Sequence, residues 1–216
     1  VSAPGSGARR PLLLVAYYLF AALAWFAIGF RGGAAAQSFG VELRQIALKG
    51  VVWVVPATLL AHFAFHEQVG QALGLTPADR PRRTIRAISV ALAFLMLTTA
   101  VEAALNGHPP QLTGIVITAV VLELANAFVE EVAFRGFLLG QLARNGPLWR
   151  ANLVATVLFV VVHWPTWFAR GMRVEVIPVS VALALLALVL GAVTRWSGSV
   201  WLAIAAHALN NLTADR

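Results

Sequence analysis

The chain contains no cysteine, which excludes a disulfide framework, a thiolate nucleophile and any metal site built on sulfur. Charge is scarce too: 12% of the 216 residues are Asp, Glu, Lys or Arg, against about a quarter in ordinary soluble domains. A water-solvated surface cannot be built from so few. The formal charge of +7 comes almost entirely from arginine, since Lys49 is the sole lysine. These arginines fall between apolar runs, as membrane-flanking residues do, and do not form the basic stripe of a nucleic-acid binder. No repeat of fixed period and no low-complexity segment is present. The arginine-rich, Ala-, Val- and Leu-rich usage points to a GC-rich bacterial genome and a bacterial plasma membrane.

What is present is apolar. Hydrophobic residues make up 60% of the chain and mean hydropathy is +0.80, so runs of about 20 residues can cross the ~30 Å hydrocarbon core as helices. The expected fold is an all-α polytopic membrane helical bundle of about seven transmembrane helices, spanning 12–30, 46–65, 85–105, 112–142, 151–163, 176–193 and 199–212. Residues 1–11 form an N-terminal tail, 12–110 the first three helices and 111–216 the four that carry the chemistry. The run after the tail lacks a small-residue cleavage site and reads as a first transmembrane helix. Pro56 is expected to kink the second span, and Pro165 to end the fifth near His163. Residues 67–83 form a polar loop. In the loops and at the span ends, nine arginines fall on the side that keeps the N-terminus inside. Six basic residues fall on the other, with Lys49, in the first turn of the second span, counted as part of its flank. The positive-inside bias therefore places the N-terminus in the cytoplasm.

The stretch around which the chain is organised is NAFVEEVAFRGFLLG, residues 126–140. It sets two carboxylates and an arginine in an apolar helix-forming run, where ionised groups need partners or a wet cavity. Glu131 and Arg135 are i, i+4 neighbours and can pair, a structural role. Glu130 is turned about 100° away, on the stripe of Glu123 and Asn126. With arginines marking the cytoplasmic ends, Glu130 lies 14 residues from Arg144, His163 13 from Arg150 and His207 12 from Arg195. All three are thus at a common depth of roughly 18 to 21 Å. Asn211 lies one turn beyond His207 on the same face.

An isolated histidine in a helix is ordinarily a packing residue, but polar groups from three helices at one depth form a candidate site. A carboxylate and a histidine facing one cavity can hold a water and take its proton as it attacks a carbonyl. A second histidine and an asparagine can donate hydrogen bonds to the oxyanion. No serine accompanies the histidines, so hydrolysis by activated water is favoured over an acyl-enzyme. The same Glu130, His163 and His207 can instead ligate Zn²⁺ and leave a position for water, and the residues alone do not separate the two. His62 and His66, beside Glu67, have the spacing of a metal pair but sit at a helix end. His108 lies in a Gly-Pro loop and carries no signal. Gly136 and Gly140 form a GxxxG that would let another helix approach closely. Trp149, Trp164, Trp167, Trp196 and Trp201 read as interface anchors.

EEVAFR (Glu130, Glu131, Arg135), FVVVH (Phe159, His163) and HALNN (His207, Asn211) match EExxxR, FxxxH and HxxxN in that order. In this the chain resembles the CAAX prenyl protease and bacteriocin-processing (CPBP, Abi-type) family of intramembrane proteases, over roughly its C-terminal half. The resemblance implies an intramembrane endopeptidase. Glu130 and His163 would activate water, His207 and Asn211 would form the oxyanion site, and a membrane-associated peptide or protein would be the substrate. The family is also described as metal-dependent, and some relatives act in bacteriocin immunity or as scaffolds. A non-enzymatic binding, immunity or scaffold protein is therefore the alternative. A small transporter is a further one, but its polar path across the membrane is not found.

Overall fold

A computed structural model of the chain describes residues 6–30, 38–78, 81–106, 117–144 and 146–214. Within them all regular structure is helical. Helix α1 is Ser6–Phe30, α2 Phe39–Ala64, α3 the short Val69–Ala72 and α4 Pro81–Asn106. Helix α5 covers 117–142, α6 is Leu148–Ala169, α7 Val176–Ser197 and α8 Trp201–Ala214. Five of these, α1, α2, α4, α6 and α7, are long and apolar enough to cross a membrane. With the charged α5 and the short α8, that matches the architecture of about seven membrane-depth helices.

The outward faces are apolar. Leu12, Val15, Leu19 and Leu23 form an exposed stripe on α1, as do Ile85, Leu92 and Met96 on α4 and Ile177, Val181 and Leu185 on α7. Such a belt would associate in water; in hydrocarbon it faces its own kind of solvent. The protein is an integral membrane protein.

Several boundaries differ from the sequence reading, each for a local reason. Helix α1 begins at Ser6 and carries Pro11 inside it, at the loss of one backbone hydrogen bond. Helix α2 begins at Phe39, so Lys49, counted above with the flank, lies well inside the span. Helix α2 also continues through Pro56, flanked by wide i→i+5 turns at Gly50–Val54 and Leu60–Ala64. Helix α6 passes Pro165 to Ala169, so that proline does not end it. His108 lies outside the described residues.

Helix α5 sits at the centre. It packs on α2, α6 and α8, and every residue from Val129 to Leu139 is buried. A wide-turned stretch at Val132–Leu138 rotates the side chains that follow relative to a regular helix. Such wide turns recur at functional sites. The close approach expected at Gly136 is made by a loop and not by a helix: a Cβ there would overlap the Leu73 carbonyl oxygen. Gly74, with φ +68, turns that loop. One apolar core joins Tyr17, Ala57, Val132, Phe137 and Val200, so residues before and after 110 share it.

Candidate active site

The polar residues of α5 are buried but partnered. Glu131 and Arg135 are 0% and 3% exposed and pair through Oε1 and Nη1 at 2.9 Å. The same Oε1 accepts from His207 Nδ1 at 2.8 Å. Glu131 is therefore the anchor of a buried Arg–Glu–His chain. Removing one member of such a chain leaves a buried charge uncompensated, a loss of roughly 3–5 kcal/mol.

Glu130, one residue earlier and 2% exposed, faces another direction. Its Oε1 pairs with the Lys49 ammonium, which also donates to Asn126 Oδ1 at 2.7 Å. Lys49 lies over the rings of Trp25 and Trp53, at 5.2 and 5.6 Å from their centroids. The other carboxylate oxygen, Oε2, is approached by two imidazoles, with His163 Nε2 and His207 Nε2 each 3.9 Å away. That separation exceeds a hydrogen bond, so both Nε2 atoms remain available to a third group lying against Oε2.

The partners of the Nδ1 atoms set the proton positions. His163 Nδ1 is 2.7 Å from the Phe159 carbonyl oxygen, which can only accept, so Nδ1 carries hydrogen and neutral His163 presents a lone pair at Nε2. His207 Nδ1 likewise donates to Glu131, so its Nε2 donates only when the ring is doubly protonated. Phe159 is fully buried and walls the site. Its ring stands 4.0 Å from the Arg135 guanidinium and edge-on to His163 at 4.7 Å. Phe134 and Trp53 continue the aromatic wall, with centroids 5.3 Å apart.

The structure therefore brings Glu130, His163 and His207 together from α5, α6 and α8. Glu131, Arg135 and Phe159 stand behind them. Asn211 is placed apart: its Nδ2 donates to Glu123 Oε2 at 2.9 Å, two turns along α5 from Glu130. Sequence reasoning missed Lys49. The signal was available, because the only lysine lies between Ile46 and the apolar run GVVWVV, and an intramembrane cation calls for a partner.

His62 and His66 are both exposed, and Glu67 beside them serves Arg10, Arg144 and Gln141. Neither this set nor Glu130 with the two histidines makes a group of three metal-ligating side chains among the described residues. At Glu130 the Lys49 ammonium already supplies the positive charge a cation would bring. As placed, these donors do not fit zinc.

The fold and the site define a class: a polytopic helical membrane protein holding a carboxylate and two histidines in its interior. Residues 111–213 match the family model described as Rce1-like, type II CAAX prenyl endopeptidase, so this segment is similar to that family. A search of curated proteins finds no match. The matched segment contains all three motifs; Lys49 lies outside it.

Proposed function

We propose that the protein is an intramembrane endopeptidase that hydrolyses a peptide bond of a membrane-associated peptide or protein, with Glu130 and His163 activating water. The observation that carries this reading is the approach of two imidazole Nε2 atoms to one oxygen of a buried carboxylate, each ring fixed by its own Nδ1 hydrogen bond. A water held between Glu130 Oε2 and His163 Nε2 gives one proton to this pair as its oxygen bonds to the scissile carbonyl carbon. The proton then passes to the leaving amide nitrogen as the C–N bond breaks. Doubly protonated His207 donates from Nε2 to the oxyanion. Asn211, hydrogen-bonded to Glu123, stands apart from this water and reaches the oxyanion only by leaving that partner. Lys49 neutralises Glu130 without occupying the oxygen that faces the histidines. No step requires a metal.

The test is cleavage of a pool of membrane peptides by the purified protein in proteoliposomes, with Glu130→Gln, His163→Ala and the double variant. Groups acting on one water lose activity together. Each single variant is expected to lose about 100-fold or more, and the double variant little beyond that. Full activity of a folded Glu130→Gln protein would remove the enzymatic reading. The Lys49–Glu130 pair is also what a purely structural tie looks like, so that outcome would favour the immunity or scaffold alternative.

A further inference from the structure

The described residues enclose a second polar feature, away from the water-activating groups. A cavity of about 310 Å³ opens among the loop around α3, the end of α5 and the α7–α8 turn. Its side-chain lining includes Arg135, Gln141, Arg144, Thr194 and Arg195, and no acidic residue lines it. The rest of its wall is largely glycine, at Gly74, Gly136, Gly140 and Gly198, so main chain is exposed where side chains would fill the space.

Two polar atoms on lining residues are buried without a hydrogen-bond partner: Arg135 Nη2 and Thr194 Oγ1. Buried donors in native proteins are nearly always satisfied, and here both orphans belong to residues that line one cavity. Arg135 uses Nη1 on Glu131, which leaves the second arm of its fork. At the rim, Arg144 shares Glu67 with Arg10, so a single carboxylate serves two guanidinium groups and the local balance stays positive.

We propose that this cavity binds a phosphate group, supplied either by free phosphate or by the headgroup of an anionic phospholipid. Guanidinium forks match phosphate oxygens, and the volume is at the lower end for small-molecule sites, ample for phosphate and sufficient for a headgroup. The cavity lies at the arginine-marked end of α5 and α7, where basic pockets between transmembrane helices meet headgroups. A phosphate on Arg135 Nη2 leaves the Nη1 bond to Glu131 intact, and Glu131 holds His207. Occupancy thereby stiffens the chain that orients His207.

The experiment is thermal unfolding of the full chain, followed by tryptophan fluorescence, in two arms. In detergent, sodium phosphate is titrated against chloride at matched ionic strength. In nanodiscs, phosphatidylglycerol is compared with phosphatidylcholine. Tm is expected to rise saturably with one or both phosphate sources. Arg195→Gln should weaken the apparent affinity roughly tenfold or more, as expected for a lost charged hydrogen bond. Thr194→Val should also weaken it while leaving Tm without ligand unchanged or raised, because valine removes an unpartnered hydroxyl. A response to phosphate in detergent identifies a site open to the free anion. A response to phosphatidylglycerol alone identifies a headgroup site. If neither source shifts Tm, or if wild type, Arg195→Gln and Thr194→Val shift equally, the phosphate site is wrong. The readout does not depend on proteolysis.

Discussion

Lys49 and Glu130 form the contact on which the interior chemistry turns. Replacing Lys49 with methionine keeps the length of the side chain and leaves Glu130 buried with no cation against Oε1. Removing one partner of a buried pair costs roughly 3–5 kcal/mol, whereas removing both charges can be nearly neutral. Lys49→Met is therefore expected to lower Tm sharply, and Lys49→Met with Glu130→Gln to recover most of the loss while remaining inactive. Thermal unfolding in detergent, read beside peptide cleavage, checks both; a single variant as stable as wild type would deny the pair its structural weight. At this scale much of the site was legible. Charges in an apolar run and a common depth counted from flanking arginines pointed to Glu130, His163 and His207. The Nδ1 contacts were not legible, since they depend on helix rotation, and Asn211 faces Glu123 because position along α8 says nothing of what lies opposite.

At the scale of the element, α5 departs most from what a pattern of apolar residues can convey. Hydrophobic runs mark a helix but do not reveal i→i+5 turns, which need one residue more per turn and shift every following side chain. Helix starts are equally hidden: an apolar run does not show that α2 begins at Phe39, and so does not show how far inside the helix Lys49 lies. Pro165 was over-read, because a helix whose other backbone bonds are kept can pass a single proline. The small residue at 136 was noticed correctly, although the partner it admits is the Leu73 main chain. Gly136→Ala is expected to displace that loop and to cost about 1–3 kcal/mol, the usual penalty for overpacking. The matching control is Gly146→Ala, where nothing lies within 4 Å of an added Cβ. Tm of the two variants should separate clearly, and equal values would mean that the loop yields freely.

For the molecule as a whole, hydropathy and arginine placement anticipated the bundle, because length and solvent dictate both. Moving Lys49 into the membrane takes one basic residue from the outer set, which strengthens the N-inside orientation we propose. Since the chain has no cysteine, single introduced cysteines report sidedness without background. A cysteine at Gly146 should react with an impermeant maleimide only after the membrane is opened, and one at Gly171 in intact cells. The reverse pattern would invert the topology.

The central claim is that the carboxylate of Glu130 makes this membrane protein a protease. The most direct measurement compares new peptide termini in membranes of cells making the wild-type chain with those of cells making an equally abundant, folded Glu130→Gln variant. The account predicts a set of termini that appears only with the intact carboxylate, drawn from membrane-associated proteins. Identical termini in the two membranes would contradict it.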